Sequence, residues 1–363
     1  MPTLTVTAIG PIVPSGIFRT GWPEVVPTYN PEIVTQSSTV PKRVIVTGGA
    51  GFIGTEVTGQ LLERGYEVRV IDDLSKEGHD VPPGVEFHEA DLTQPGVANE
   101  LFAGQSACIN LAAKIGGIGY FHRYPATILS ENNKLYSATF EAAVEHRLQR
   151  MVYVSSSMVF ESATRFPSKE SDLAEIPPPV SAYGFSKLSG EWYCRAFADQ
   201  FGLAYSICRP FNAYGINEYP EEDVGYAHVI PDLTRKILSG QHPLEILGDG
   251  NQTRAFTHVR DIARGLILAL ESPRAVNQDF NISNAEEMTI LELARKIFTL
   301  CETGREFEWV SVPSFTYDIK RRSPDPTKAR ELLGFEAETK IDEGLAEVIG
   351  WLRTVMAADR VAS

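Results

Sequence analysis

The sequence predicts an α/β protein built on a doubly wound parallel sheet, with a smaller α/β part at its C-terminal end. Two observations support this prediction. A run of β-branched residues ends in a glycine cluster and leads into an amphipathic helix, and short apolar strands then alternate with helices as far as residue 210. Beyond that point the alternation loosens. We therefore expect an extended arm at 1–41, a sheet domain at 42–210 and a second part at 211–356.

The first strand, turn and helix predict a dinucleotide site. Val44–Thr47 forms the strand, and GGAGFIG follows it directly. Gly48 permits the sharp turn, Gly51 leaves room for a pyrophosphate near the backbone, and Gly54 lets the helix pack close to the strand. The phosphates then lie at a helix N-terminus, which stabilises anions. The fold is thus Rossmann-type, with residues 42–210 binding the cofactor and 211–356 mainly the substrate.

An acidic residue closes the second predicted strand, Val68–Ile71. The carboxylate of Asp72 can accept hydrogen bonds from the adenosine ribose hydroxyls, whereas the additional phosphate of NADP would be repelled there. The sequence therefore predicts NAD as the cofactor. Asp73 is the alternative acceptor if the strand ends one residue later.

Later strand ends offer further contacts to the cofactor. Asp91 and Leu92 follow the third strand, where a carboxylate suits the adenine amino group, and Ala112 and Ala113 follow the fourth, where small side chains let a ligand approach the backbone. Ordinary turn chemistry explains either pair equally well. The glycine-rich stretch 116–119 then predicts another loop of close approach.

A serine, a tyrosine and a lysine form the predicted reactive set. Tyr183 and Lys187 lie four residues apart at the start of a helix, so their side chains leave the same face. A nearby ammonium lowers the pKa of a phenol, ordinarily about 10, by stabilising the phenolate, and the positive charge of bound NAD⁺ adds to the effect of Lys187. Ser156 ends the fifth strand and can hydrogen-bond the same substrate oxygen. Such a set takes a proton from an alcohol while its carbon gives hydride to nicotinamide.

The motifs TGGAGFIG, NLAA, SSS, YGFSK and RPFNAYG, in this order, resemble the extended short-chain dehydrogenase/reductase family, specifically its nucleotide-sugar epimerases and dehydratases. The resemblance covers about residues 42–353 and implies a nucleotide-sugar substrate, a homodimer and a catalytic role for Ser156, Tyr183 and Lys187. The implied substrate contacts are Asn212, Arg254, Asp261 and Arg322. Two arginines from separate segments suit a diphosphate clamp, although surface ion pairs are the other role open to them. The predicted cofactor contacts are Gly48, Gly51, Phe52, Ile53, Gly54, Asp72, Asp91, Leu92, Ala112, Tyr183 and Lys187.

A finer resemblance lies in NLAAKIGGIGYFHRYP and AHVIP, which look like the GDP-mannose 3,5-epimerase and GDP-fucose synthase branch and imply a GDP-sugar. His228 matches the fucose synthase acid, although a lone histidine is more often structural. Met158 stands where that branch holds a cysteine base, and a thioether takes no proton. Ser157 and Met158 also lack the carboxylate of the 4,6-dehydratases and UDP-glucuronate decarboxylases.

The chemistry that needs only serine, tyrosine, lysine and NAD is 4-epimerisation through a transient 4-keto sugar. Two other reactions stay open: reduction of a 4-keto sugar by NAD(P)H, and 3,5-epimerisation of a GDP-sugar with a relocated base. A non-catalytic dinucleotide sensor is the least expected function, because a sensor needs no activated phenol.

Composition narrows the class of protein. A net charge of -14 and a pI near 5.1 argue against nucleic acid as a partner. The four cysteines show no metal-ligand spacing, and no metal is expected; buried reduced thiols would fit a cytoplasmic location. The sequence contains no run of 18 apolar residues, so it predicts no membrane-spanning helix.

Overall fold

The computed structural model describes residues 42–76, 81–221, 226–315 and 319–362. The predicted arm at 1–41 lies outside these ranges. The strands are β1 (Arg43–Thr47), β2 (Glu67–Asp72), β3 (Glu86–Glu89), β4 (Ala107–Asn110), β5 (Arg150–Val154), β6 (Tyr205–Pro210), β7 (Ala213–Tyr214), β8 (Leu244–Leu247), β9 (Thr253–Ala255), β10 (Thr257–His258), β11 (Gln278–Ile282), β12 (Glu287–Thr289), β13 (Trp309–Val312) and β14 (Arg321–Arg322). The α-helices are α1 (Phe52–Glu63), α2 (Val97–Phe102), α3 (Ile118–Arg123), α4 (Pro125–Glu145), α5 (Ala182–Phe201), α6 (Val229–Leu238), α7 (Val259–Glu271), α8 (Ile290–Leu300), α9 (Thr327–Leu333) and α10 (Ile341–Ala362).

The large sheet has the strand order β11-β6-β5-β4-β1-β2-β3, and all neighbouring strands are parallel. The order reverses direction between β1 and β4. A crevice opens at such a switch point, outside the carboxyl ends of the strands, and ligands bind there. The prediction of a Rossmann-type doubly wound sheet is confirmed.

Both faces of this sheet are buried, which explains the β-branched composition of β1. Val44 and Val46 pack on one face with residues of α1, α7 and α9. Ile45 points to the other face and packs with residues of α2, α4 and α5. A strand covered on both sides reads as a continuous apolar run rather than as an alternation.

The residues after 210 build a second apolar cluster, in which α6, α8 and α10 pack around β8. Part of this segment nevertheless returns to the large sheet. Helix α7 packs into the core beside α1, and β11 pairs with β6. The boundary predicted at 210 therefore separates β1–β6 from most of the second part, but not from α7 and β11.

Three short strands of the second part lie at the carboxyl edge of the large sheet. Strands β12, β9 and β14 form a small sheet in that order, and Gln252, which precedes β9, donates from Nε2 to the carbonyl of Leu247 in β8 at 3.0 Å. Strand β8 is thereby tied to the start of β9. No helix within the described ranges is both long and apolar enough to cross a membrane.

Candidate active site

One continuous cleft of about 1640 Å³ runs from the glycine turn after β1 across the carboxyl edge of the sheet to α6 and β8. Small-molecule pockets usually measure roughly 300–1,000 Å³, so this cleft has room for two ligands. The predicted cofactor residues line one end and the centre. The residues that line its centre and its other end include Ser156, Tyr183, Lys187, Asn212, His228, Arg254 and Arg322.

The glycine turn has the conformation that a dinucleotide requires. Gly48 has φ +68°, and a Cβ there would lie 2.9 Å from the backbone nitrogen of Ala112. A Cβ on Gly54 would lie 2.0 Å from the carbonyl oxygen of Gly48, so α1 approaches β1 only with glycine at this position. A Cβ on Gly51 would lie 3.4 Å from its nearest neighbour, the carbonyl oxygen of Gly48, which is an ordinary contact. Gly51 also lines the cleft. The protein thus leaves space at Gly51, where the pyrophosphate of the cofactor is predicted to lie.

Asp72 ends β2 and lines the cleft, as predicted. Its Oδ2 accepts a hydrogen bond from the N–H of Ala50 at 3.0 Å, and its Oδ1 accepts from the N–H of Leu74 at 2.9 Å. These bonds hold the carboxylate beside the glycine turn. Each carboxylate oxygen has a second lone pair, which leaves acceptors for ribose hydroxyls.

Asp73, the alternative acceptor, is engaged elsewhere. Its Oδ2 accepts from Nζ of Lys114 at 3.0 Å and its Oδ1 from the hydroxyl of Ser75 at 2.7 Å. Burial raises the pKa of Asp73, but the bonds from Ser75 and Lys114 outweigh it and hold the pKa below its usual value. The structure therefore favours Asp72 as the ribose acceptor.

Asp91 lines the cleft and also makes a turn. Its Oδ1 accepts from the N–H of Thr93 at 2.8 Å, and its Oδ2 accepts from Gln94 at 2.9 Å. Leu92 is buried beside it. The turn chemistry weighed from the sequence is present, and contact with adenine stays a prediction.

Helix α5 and strand β5 hold the reactive set. Ser181 caps α5 by accepting from the N–H of Gly184 at 3.0 Å, which fixes the helix start beside Tyr183. Nζ of the buried Lys187 donates to the carbonyl of Val154 at 2.8 Å and so ties the helix to the end of β5. At that same end, Ser156 begins a 3₁₀ turn by accepting from the N–H of Met158 at 3.2 Å. All three predicted residues meet in the cleft.

Burial governs the ionisation of this set in the chain without cofactor. Burial raises the pKa of Tyr183, although a hydrogen bond with Ser156 and the charge of Arg322 both lower it. Burial also lowers the pKa of Lys187 to about 7. In the chain without cofactor, desolvation of the phenol outweighs its polar neighbours. The lowering of the phenol pKa by Lys187 together with the positive charge of bound NAD⁺ stays a prediction.

Arg322 lies near the reactive set, in contact with three pocket residues. Its Nη1 is 3.4 Å from the hydroxyl of Ser157 and 3.3 Å from Oδ1 of Asn212, and its Nη2 is 2.8 Å from Sδ of Met158. Nδ2 of Asn212 donates in turn to the carbonyl of Ala255 at 2.8 Å. Arg322 on β14 is also the register partner of Arg254 on β9, so both predicted clamp residues lie on adjacent strands.

His228 precedes α6, and its Nδ1 is hydrogen-bonded to Oε1 of Glu218. The histidine side chain is 50% exposed and lines the cleft, whereas that of Glu218 is only 9% exposed. Sequence inspection missed Glu218, since a ten-residue separation across a loop gives no periodic signal.

Asp261 is not among the residues that line the cleft, so the structure gives no support to its implied role in binding substrate. It accepts hydrogen bonds from the N–H groups of Glu338 and Thr339 at 3.1 and 2.9 Å and from Arg264 at 2.9 Å. These bonds fasten the segment before α10 to the start of α7. Two backbone amides and one guanidinium group thus compensate the buried carboxylate, a structural role that the motif does not reveal.

Residues 44–283 match the model of the NAD dependent epimerase/dehydratase family. The chain belongs to this family. Its relatives include the dTDP-glucose 4,6-dehydratase of Streptomyces niveus, 30% identical over 86% of this chain and 93% of the relative, and the GDP-mannose 3,5-epimerase 1 of Oryza sativa subsp. japonica, 27% identical over 86% and 82%. The crystal structure of UDP-glucose 4-epimerase from Thermotoga maritima with UDP-glucose is 30% identical, with a TM-score of 0.78 over 86% of this chain and 99% of that one.

Family membership agrees with the cleft. The protein is NAD-dependent, as the glycine turn and Asp72 predicted, and the extended short-chain dehydrogenase/reductase resemblance is confirmed. The four cysteines are buried, as expected. Within the described residues no cluster of His, Cys, Asp or Glu side chains is arranged to hold a metal.

Proposed function

We propose that this protein is a nucleotide-sugar 4-epimerase. The observation that carries the proposal is the wall beside Tyr183. Met158 occupies the base position of the 3,5-epimerase branch, and it packs in an apolar cluster with Ile128 and Tyr183. Its sulfur contacts Arg322 and takes no proton. At this position the cleft therefore places a thioether, rather than a base, beside the phenol of Tyr183.

The residues of the chain divide the work. Ser156 holds the C4 oxygen of the sugar, and Tyr183 removes the proton of the C4 hydroxyl and later returns it. Lys187, one helical turn from Tyr183 and held by the carbonyl of Val154, supplies the charge that stabilises the phenolate. Bound NAD would accept a hydride from C4 and, after the 4-keto sugar has rotated in the site, return it to the opposite face of that carbon. No cofactor is consumed in a turnover.

Arg254 and Arg322 support a diphosphate-linked substrate. They are register partners on the adjacent strands β9 and β14, and both line the cleft. Guanidinium groups bind phosphate oxygens in bidentate fashion. We favour a GDP-sugar because of the NLAAKIGGIGYFHRYP and AHVIP segments. The named relatives act on or bind dTDP-, UDP- and GDP-sugars, so the base has to be measured.

A 3,5-epimerase with a relocated base is the second candidate. It is favoured by the contact between His228 and Glu218, because a carboxylate that fixes one ring nitrogen orients a histidine for proton transfer. A reductase of 4-keto sugars would consume one NAD(P)H in each turnover.

The deciding experiment is to incubate the purified protein with GDP-, UDP- and dTDP-sugars without added cofactor and to resolve the products by NMR. Inversion at C4 alone supports the proposal. Inversion at C3 or C5 supports the second candidate, and conversion only with stoichiometric NAD(P)H supports the reductase.

We also propose a homodimer formed through α5. Phe185 and Trp192 lie seven residues apart on this helix and are 45% and 62% exposed, and Val180 just before the helix is 63% exposed. Large apolar side chains grouped on one helical face mark an interaction surface.

A further inference from the structure

The glycine-rich loop after β4 builds a short helix whose role the proposed reaction leaves open. A Cβ on Gly116 would lie 2.7 Å from Cβ and Cγ of Tyr120, so glycine lets the Tyr120 ring fold back on the loop. The N–H of Gly117 donates to the carbonyl of Tyr226 at 2.6 Å, and the rings of Tyr120 and Tyr226 pack edge to face at 5.7 Å. Helix α3 is thereby anchored at its first turn.

This anchored helix places the ring of Phe121 against the ring of Tyr183. The centroids of the Phe121 and Tyr183 rings are 4.5 Å apart and their planes differ by 8°, which is a stacked pair. Phe121 also packs against the apolar cluster of Ile128, Met158 and Tyr183. Stacked aromatic pairs at this separation are specific contacts in addition to their burial of area.

The stack constrains the phenol oxygen. Flipping a tyrosine ring leaves its hydroxyl in place, because the oxygen lies on the flip axis, whereas rotation about the Cα–Cβ bond swings the hydroxyl away. A flat ring against one face of Tyr183 blocks that swing and covers the face from water. We propose that Phe121 is a positioning residue for Tyr183, acting through the phenol rather than on the substrate.

The surroundings of the phenol make this role measurable by pH. Arg322 on β14 acts on Tyr183 through its charge, and Ser156 at the end of β5 hydrogen-bonds it. Tyr136 on α4 also interacts electrostatically with Tyr183, and Lys187 lies one turn further along α5. On α3 the charged or titratable side chains are those of Tyr120, His122 and Arg123; His122 bonds the carbonyl of Ile118, and Arg123 bonds the hydroxyl of Tyr226. Burial is the main influence that raises the pKa of Tyr183, so exposing one face of its ring to water should lower that pKa.

The test compares Phe121→Leu with the conservative Phe121→Tyr and with Phe307→Leu. Phe307 is half-buried, packs edge to face on Phe298 at 5.3 Å and does not line the cleft, so it controls for loss of a ring contact. We expect Phe121→Leu to lower kcat by about tenfold, the scale of a small misplacement of a reacting group, with KM within about twofold. The acid limb of the pH profile should move to lower pH. Phe121→Tyr should restore kcat and the profile, and Phe307→Leu should leave both unchanged.

An unchanged kcat and pH profile in Phe121→Leu would overturn the proposal, as would an equal loss in Phe307→Leu. If Phe121→Leu does not fold, Phe121→Met serves in the same comparison. The inference rests on the proposed function only through Tyr183 as the base. Spectroscopic titration of the Tyr183 phenol, taken as the difference from the matching Tyr183→Phe protein, needs no substrate. It decides the role of Phe121 even if the wild-type protein converts none of the sugars.

Discussion

Arg254 and Arg322 are register partners on the adjacent parallel strands β9 and β14, and both line the cleft. Register partners leave the same face of a sheet from strands roughly 4.8 Å apart. The two arginines therefore start side by side on this small sheet, at the wall of the cleft. This arrangement supports the proposal that the two arginines together bind the diphosphate of the substrate.

We predict that Arg254→Gln raises KM for the nucleotide sugar with little change in NAD affinity. A hydrogen bond to a charged group contributes about 1.5–3 kcal/mol, which corresponds to roughly 10–100-fold in affinity. Steady-state kinetics and calorimetry with NAD provide the measurement. Arg321→Gln is the matched control, since Arg321 lies on the adjacent strand β14 and pairs with Glu287 of β12 at 2.7 Å. Similar KM values in both variants would remove Arg254 from the diphosphate site.

Asp72 should set the preference for NAD. We expect the wild-type protein to copurify with NAD(H), or to bind NAD about tenfold more tightly than NADP, since a carboxylate repels the 2′-phosphate. Asp72→Ala should narrow this preference. Asp73→Ala is the control, because that carboxylate is bound to Lys114 and Ser75. Calorimetric titrations with both cofactors give the ratio, and equal affinities in the wild type would contradict the assignment.

The local features of this protein were predictable from sequence, because neighbours in the chain determine them. The turn at Gly48, the strand ending at Asp72 and the helical pairing of Tyr183 with Lys187 each follow from spacing within a few residues. Their roles in binding and catalysis remain predictions, although the structure brings them into one cleft.

The long-range features could not be read in the same way. The stack of Phe121 on Tyr183 joins residues on α3 and α5, and the pairing of Glu218 with His228 crosses a loop. The raised pKa of Tyr183 also depends on burial by several elements. Spacing along the chain carries no information on such contacts, since they arise only when separate elements pack.

Tyr183→Phe should abolish turnover and leave folding and NAD binding intact, because it removes one ionisable oxygen and almost no volume. Lys187→Met should raise the pH at which activity appears, since the phenolate loses its neighbouring cation. Activity assays across pH, with circular dichroism as the folding control, test both substitutions. An active Tyr183→Phe protein would contradict the role of Tyr183 as the base.

Lys187 also gives this prediction a stability readout. Its pKa falls from 10.5 to about 7 on burial, so the unfolded chain binds more protons between these values. Stability of the cofactor-free protein should therefore rise as pH increases from about 7 toward 10.5, relative to Lys187→Met. Melting temperatures of the two proteins at several pH values measure the difference. A difference that is constant over this window would mean that the lysine is not desolvated.

Trp192→Glu should convert a dimer into a monomer. The side chain is 62% exposed on α5, and a charge there would be buried against the partner copy. Val310→Glu serves as the control, because Val310 is 41% exposed on β13, a separate surface element. Sedimentation velocity of both variants and the wild type gives the result. A monomeric wild-type protein, or a dimer that tolerates Trp192→Glu, would rule out this interface.

The last prediction concerns proton exchange at the sugar ring. Exchange at C3 or C5 of a 4-keto sugar needs a base beside the ring, and the thioether of Met158 cannot serve. We therefore expect turnover in deuterium oxide to invert C4 while the protons at C3 and C5 stay unexchanged, as read by NMR. Deuterium at either carbon would point to His228 with Glu218, or to Lys114, as the base and would favour the 3,5-epimerase. Met158→Cys offers the converse test. A thiol there would lie beside Arg322, whose charge lowers a thiol pKa from about 8.5 and increases the thiolate fraction, so slow exchange should appear at one of those carbons.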